Sequence, residues 1–199
     1  DEAREGYGKK IEITLFKDKS IEVRDYGRGM PVDFNNKENR FNWELIFCEL
    51  YAGGKYKNNS GENYEFSLGL NGLGTCATQY SSEYMDAVIY RDGFKYSLHF
   101  EKGENIGGLS KKKTNIKQTG TKTKWKPDLE VFTDIDVRDE YFRDVLKRQA
   151  VINPNLRFIY RFQKEDGSFD ETEYVYENGI TDYVTEIANG QNFTSVQFW

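Results

Sequence analysis

The chain has 199 residues, with 28 Lys and Arg against 33 Asp and Glu and a formal net charge of −5. That length suits one ordinary domain with a real core, and 14 Phe, 14 Tyr and 3 Trp supply bulk that disordered chains lack. The acidic balance argues against nucleic-acid binding through net charge; no apolar run approaches the roughly 18–20 residues of a bilayer span; and two cysteines, Cys48 and Cys76, are too few for a disulfide framework or a zinc site of their own.

In chain order, residues 1–6 read as the last turns of a helix stopped by Gly6 and Gly8. Lys9–Phe16 alternates through Ile11, Ile13 and Leu15, and Ser20–Asp25 through Ile21 and Val23, which predicts a hairpin across Lys17-Asp18-Lys19. Trp43–Tyr51 places Trp43, Ile46, Phe47 and Leu50 at helical spacing. Residues 52–69 are polar and glycine-rich and read as a long loop, a kind that usually carries function. A helix is expected over Gly72–Ser81. Two strands follow, Glu83–Arg91 and Phe94–Glu101, across Arg91-Asp92-Gly93. A looser segment holds Gly107-Gly108 and Lys111-Lys112-Lys113. Thr119–Trp125 alternates again, and Pro127 ends it. Val137–Val151 reads as a helix with Tyr141, Val145, Leu146 and Ala150 on one face and Asp136 or Asp139 near its start. Asn155–Phe162 and Ser168–Tyr176 form a last hairpin, and Ile180–Ala188 a short helix closed by Asn189-Gly190. Few helices and many strands predict an α+β fold, a two-layer sandwich with helices on one face of a mixed, mostly antiparallel sheet. Both cysteines lie in apolar stretches and are expected as buried, reduced thiols. With no signal peptide in view, a cytosolic setting is expected.

Three clusters carry possible chemistry. Asp25-Tyr26-Gly27-Arg28-Gly29-Met30-Pro31 directly follows a strand. A strand ending in Asp-x-Gly-x-Gly puts a carboxylate at the sheet rim and lets the backbone turn tightly beside it, where a ligand can approach. A carboxylate acceptor there suits an exocyclic amine such as that of adenine. Taken alone, the pattern more often describes a hairpin exit with a solvated Asp than a ligand site, since turns are rich in Asp and Gly. The second cluster, Gly69-Leu70-Asn71-Gly72-Leu73-Gly74, opens a helix, where backbone N–H groups suit phosphate. It has neither the Gly-Lys-Ser/Thr ending of a Walker loop nor dinucleotide-fingerprint spacing. A structural turn fits it as well. The third, Thr119-Gly120-Thr121, lies on a strand, where hydroxyls are common for packing reasons alone.

Order and spacing discriminate. Asp25-x-Gly-x-Gly, then Gly53-Gly54-Lys55, then Gly69–Gly74 with its helix, then Gly120-Thr121 resembles the GHKL ATPase superfamily. Val23–Pro31, Leu50-Tyr51-Ala52-Gly53-Gly54-Lys55-Tyr56, and Gln118–Thr121 through Trp125-Lys126-Pro127-Asp128 resemble the ATPase domain of bacterial gyrase B proteins and their topoisomerase IV counterparts. The Ala-Gly-Gly-Lys segment is the specific one. The resemblance runs from Asp1 to about Asn189. It implies the GHKL (Bergerat) ATP-binding fold over residues 1–190, with the start of a following transducer domain at 191–199.

The resemblance also implies roles. Asp25 would bind the adenine amino group directly and through a water, and Thr121 would share that water. Arg28 would flank the pocket and pair with Glu2. Gly29, Met30, Pro31, Ile46 and Val23 would form the apolar wall, and Arg91 the rim. Residues 53–68 would be the ATP lid, with Lys55 and Tyr64 near the phosphates and ribose. Leu70, Asn71, Gly72, Leu73 and Gly74 would cradle the phosphates. Leu68 and Asn71 depart from the usual glycine and histidine, although Asn71 can still donate to phosphate. Tyr26 replaces the usual Asp or Asn and is expected to face solvent. The general-base Glu and the Mg2+-binding Asn would precede Asp1. The chain opens on Asp1-Glu2-Ala3 without Met and closes on Val196-Gln197-Phe198-Trp199 like a strand cut short, so a piece of a larger protein is expected, without hydrolytic competence of its own. In the intact enzyme the implied partners are a gyrase A-type subunit, DNA, a second copy of the ATP-binding subunit joined through ATP, and aminocoumarin-type inhibitors; no membrane is expected. The alternative is a non-hydrolysing nucleotide-binding or dimerisation module on the same fold, which Leu68 and Asn71 favour. Ala52–Lys55 argues against a histidine kinase. The lysine-rich stretch 102–126 reads as mainly a solvated face.

Overall fold

A computed structural model describes residues 2–54, 72–191 and 194–196. Among these a nine-stranded sheet runs in the order β11 (Phe169–Tyr174), β10 (Arg157–Gln163), β1 (Lys10–Leu15), β2 (Ile21–Asp25), β9 (Gly120–Pro127), β5 (Ser82–Arg91), β6 (Phe94–Glu101) and β7 (Glu104–Asn105), with β8 (Ser110–Lys113) also paired to β6. Strands β1 (Lys10–Leu15) and β2 (Ile21–Asp25) form the expected hairpin. β9 (Gly120–Pro127) lies antiparallel between β2 and β5 (Ser82–Arg91), and β5 pairs with β6 (Phe94–Glu101). The last hairpin, β10 (Arg157–Gln163) with β11 (Phe169–Tyr174), joins the sheet through a parallel β1–β10 pair. The sheet is therefore mixed and mostly antiparallel, as composition and periodicity predict.

Alternation decides which face is covered. Ile13, Leu15, Ile21, Phe158 and Tyr160 point to one face and pack under helix α3 (Asp139–Ile152) through Leu146 and Ala150. Met85, Ala87, Leu98 and Phe100 point the same way and pack under α1 (Asn42–Cys48) through Ile46 and Phe47. Trp125 of β9 packs against both clusters and joins them. Phe47 and Phe100 stack with centroids 5.4 Å apart. Each such fully buried side chain contributes roughly 1.5–3 kcal/mol. The opposite face is polar: Glu12, Glu22, Arg24, Asp86, Lys122 and Lys124 sit at the alternate positions and are none of them buried. One face covered and one solvated is what an antiparallel sheet permits.

Several local expectations are corrected. Residues 2–6 form turns, not helix, closed by Gly6 N–H donating to the Ala3 carbonyl and Tyr7 N–H to that of Glu2. The stripe on α3 is displaced by one residue: Phe142, Leu146 and Ala150, at i, i+4 and i+8, face the core, while Tyr141 and Val145 are exposed. Its N-cap is Arg138, without a side-chain bond; Asp139 instead sits in the first turn and accepts from Arg143 at 2.6 Å. The looser segment contains β7 (Glu104–Asn105) and β8 (Ser110–Lys113). A small pair, β3 (Phe34–Asn35) and β4 (Arg40–Phe41), precedes α1. Tyr26 is half-buried: its hydroxyl donates to Glu12 at 2.9 Å, and Lys10 and Arg24 flank its ring. Cys76 is buried and Cys48 half-buried, both unbridged, and burial pushes the Cys48 thiol up to about 11. Among the described residues no helix is long and apolar enough to cross a membrane.

Helix α4 (Ile180–Ala188) ends on Asn189, held in the left-handed region at φ 46° by two capping bonds to the carbonyls of Thr185 and Glu186. Asparagine tolerates that region and alanine does not. Asn189→Ala is expected to cost about 1 kcal/mol, read as a lower thermal midpoint, while Asn189→Gly should leave the midpoint unchanged or raise it.

Candidate functional site

Asp25 ends β2 on the covered face of the sheet, and the chain then leaves the ladder at residues 26–31. Those residues have no strand partner, so their backbone groups need others. Side chains supply them, all but that of Asp25 from distant segments. Gly27 N–H donates to Asp25 Oδ1 at 2.9 Å, and the Gly27 carbonyl accepts from the Thr119 hydroxyl at 2.6 Å. Arg28 N–H donates to Glu2 Oε2 at 2.8 Å. The Gly29 carbonyl accepts from Arg91 Nη1 at 3.0 Å, and Met30 N–H donates to Thr121 Oγ1 at 3.0 Å. A loop pinned at five successive points is rigid without being sheet.

Arg28 is held at its side chain too. Its Nε and Nη2 donate to the two Glu2 oxygens at 3.0 and 2.9 Å, and its guanidinium lies 4.1 Å from the centre of the Tyr7 ring. This fork-to-fork geometry is the stronger kind of ion pair. The expected Arg28–Glu2 pair is present; the stacking role of Tyr7 carried no sequence signal.

Close approach explains Gly120. Its φ is +136°, and a Cβ there would lie 2.3 Å from the Asp25 carbonyl oxygen. Only glycine lets β9 run this near the end of β2. The contact sets Thr121 beside Asp25: burial pushes the Asp25 carboxyl above the ordinary carboxylate range, the backbone N–H groups of Gly27 and Thr121 pull it back, and the nearby Glu2 charge raises it further. A carboxylate has about four lone-pair positions. With two of them facing these N–H groups, acceptor capacity remains for a further donor.

The apolar residues expected around this carboxylate converge. Met30 packs on the cluster holding Ile46 and on that of Val32, Ile89 and Tyr96, so the loop is keyed to α1 and β5. Pro31 follows on the same loop, and Gly29 turns at φ +85° against the Tyr90 carbonyl. Val23 packs with the Ile13 cluster instead. Arg91 ends β5 beside Gly29. Gly72, Leu73 and Gly74 lead into α2 (Gly74–Tyr80), and the Gly72 turn abuts the single-turn helix Ala52–Gly54 closely enough that a Cβ would fall 2.3 Å from Gly53 N. Two glycine segments far apart in sequence thus meet. Lys55, Tyr64, Leu68, Leu70 and Asn71 lie outside the described residues.

The opposite face holds a separate cleft of about 460 Å³, lined by Glu22, Asp86, His99, Lys122 and Lys124 under the Gly107-Gly108 turn. There His99 bridges Asp86 at 2.7 Å and Glu101 at 3.1 Å. Among the described residues no group of three His, Cys, Asp or Glu side chains is placed to hold a metal ion.

No family model matches the chain. Similarity to known proteins is nonetheless extensive. The chain is 37% identical over 191 residues to the B subunit of DNA topoisomerase 4 from Salmonella typhimurium, covering 96% of this chain and 29% of that protein. It thus spans under a third of that relative's length. It is similar to the ATP-binding domain of topoisomerase IV from Francisella tularensis, solved with a small-molecule inhibitor: TM-score 0.72, 30% identity, 90% of this chain and 82% of that one. It is also similar to the 43K ATPase domain of Thermus thermophilus gyrase B in complex with an aminocoumarin: TM-score 0.78, 25% identity, 96% of this chain and 46% of that one.

Proposed function

Because the chain belongs to the family of ATP-binding domains found in bacterial gyrase B and its topoisomerase IV counterpart, we propose that the Asp25 site takes up the adenine of ATP. The observation that carries this is the pinned loop: it holds a desolvated carboxylate with spare acceptor capacity beside the Thr121 hydroxyl and the apolar surface of Met30 and Ile46. Adenine offers an amino donor on its edge, and the ring stacks against the Met30, Pro31 and Ile46 wall. Arg28 and Arg91 frame the mouth. Lys55, Tyr64, Leu70 and Asn71, with Gly72, Leu73 and Gly74, take the ribose and phosphates, as the resemblance implies.

In the intact enzyme we assign ATP binding and hydrolysis to gate closure and DNA strand passage, in the cytoplasm, with a gyrase A-type subunit and a second copy of the ATP-binding subunit as partners. Residues 1–190 form the ATP-binding domain and 191–199 begin the transducer. Mg2+ would neutralise phosphate charge there; the base and the metal ligand belong, on the resemblance, ahead of Asp1. Aminocoumarin-type inhibitors should compete for the same pocket.

Guanine presents a carbonyl where adenine presents an amine, so an acceptor would face the Asp25 acceptor. Titration calorimetry is expected to give an ATP analogue about tenfold to a hundredfold tighter than its GTP counterpart, the range set by one charged hydrogen bond. Equal affinities would contradict the adenine assignment. The pH dependence has a definite sign. Protonation removes acceptor capacity, so affinity should be highest above the raised Asp25 pKa and fall as pH drops through it. For the protein alone the sign reverses. The folded carboxyl binds its proton at higher pH than the unfolded one, so its contribution to stability declines as pH rises from the ordinary carboxylate range through the raised value.

A further inference from the structure

We infer that the lysine-rich edge formed by β6 and β8 is a docking surface for the phosphate backbone of duplex DNA, separate from the nucleotide pocket and beyond the function proposed above. Residues 95–126 carry nine lysines and two glutamates within a chain of net charge −5. Some of these lysines are neutralised inside the fold: Lys102 pairs with Glu130, Lys122 with Glu22 and Lys126 with Glu83. Lys95, Lys111, Lys112 and Lys113 are different. Among the described residues no carboxylate pairs with any of them, and all four residues of β8 are exposed.

Their register sharpens the point. Lys112 lies directly opposite Lys95, while Lys111 and Lys113 lie opposite Tyr96 and Phe94. Like charges facing each other across a ladder are destabilising. Edge lysines do discourage sheet-to-sheet pairing, but isolated ones suffice for that. Strand alternation puts Lys112 and Lys95 on one face of this edge and Lys111 and Lys113 on the other, so the rim carries two cations on each side and an excess of positive charge that no carboxylate of the described residues balances. The aromatics are already covered: Lys111 Nζ sits 4.1 Å from the Phe94 ring centre and 5.6 Å from that of Tyr96. What remains outward is charge, carried by lysines as point cations without the forked geometry that reads bases. That chemistry fits a regular row of phosphates and non-specific contact. It also resolves the composition: an acidic chain keeps one strongly basic edge. That edge ends beside Arg91, since Lys113 faces Phe94 and Phe94 faces Arg91, so DNA held there would lie near the mouth of the pocket.

The test is anisotropy of a short fluorescent duplex titrated with the protein across a salt series starting near 50 mM. With four lysines engaged, log affinity should fall against log salt with a slope of about 3 to 4. The combined variant Lys95→Gln, Lys111→Gln, Lys112→Gln and Lys113→Gln should lose affinity by about tenfold or more at the lowest salt, and most of that slope. The matching four Lys→Arg changes should keep both. Thermal melting of both variants guards against misfolding, and ATP binding should be unchanged in both, so this inference and the pocket assignment fail separately. Duplex binding that survives the glutamine changes would overturn the proposal, as would no binding by the unmodified protein, or glutamine changes that alter only self-association or the binding of an acidic polypeptide.

Discussion

Asp25→Asn is expected to reduce ATP affinity by about 30-fold to several hundredfold, the equivalent of roughly 2–3.5 kcal/mol for a charged hydrogen bond whose partner becomes a mismatch. The side chain keeps its shape, and its remaining oxygen can still accept from Gly27 N–H. It loses the negative charge and turns an amide donor toward whatever donor the ligand presents. The fold should feel this little. The ionised carboxylate is disfavoured by its burial, so replacing it by a neutral group removes a cost while mispairing at most one backbone N–H. Calorimetric titration read beside the melting curve separates the two effects: affinity should collapse with the midpoint nearly in place. Undiminished affinity would remove Asp25 from the site.

The second large effect belongs to Gly120. An alanine there must adopt φ near +136°, with its methyl 2.3 Å from the Asp25 carbonyl oxygen. Backbone in that region costs a non-glycine residue about 1–3 kcal/mol, and forcing atoms into a packed space costs about 1–3 kcal/mol more. The contacted atom is backbone on a central strand, so it cannot swing aside. Gly120→Ala should therefore lower stability by about 3–5 kcal/mol in urea denaturation. Any folded remainder should bind ATP poorly, because β9 would move away from β2 and carry Thr121 from Asp25. A loss under about 1 kcal/mol would mean that the strands part easily there, and the close approach would not be holding the site together.

Most of the fold was legible because its signals are local. Period-two alternation located β1, β2, β5, β6, β9, β10 and β11 to within a few residues, and Asn189-Gly190 marked the end of α4. The failures were of two kinds. Phe34–Asn35 with Arg40–Phe41, and Ser110–Lys113, are too short or too polar to show a period; they are strands because a neighbour pairs with them. On α3 both Val145 and Leu146 are apolar, and only the position of β10 decides that Leu146 faces inward. The candidate site divides similarly. Asp25, Gly29 and Thr121 stood in recognisable motifs. What fixes them did not: the Thr119 hydroxyl reaches Gly27 across 92 positions of sequence, and Tyr7 underlies Arg28 with no local pattern to announce it. Long-range side-chain capping of a loop leaves no periodic trace.

Whether adenine sits against Asp25 on the covered face of the sheet is tested most directly by NMR, following amide chemical shifts during titration with a non-hydrolysable ATP analogue. The largest changes are expected at Gly27, Met30 and Thr121, whose N–H groups surround the carboxylate and its wall. Changes centred instead on Val88, Ser97 and Gly107, which line the cleft on the opposite face, or no changes at all, would contradict it.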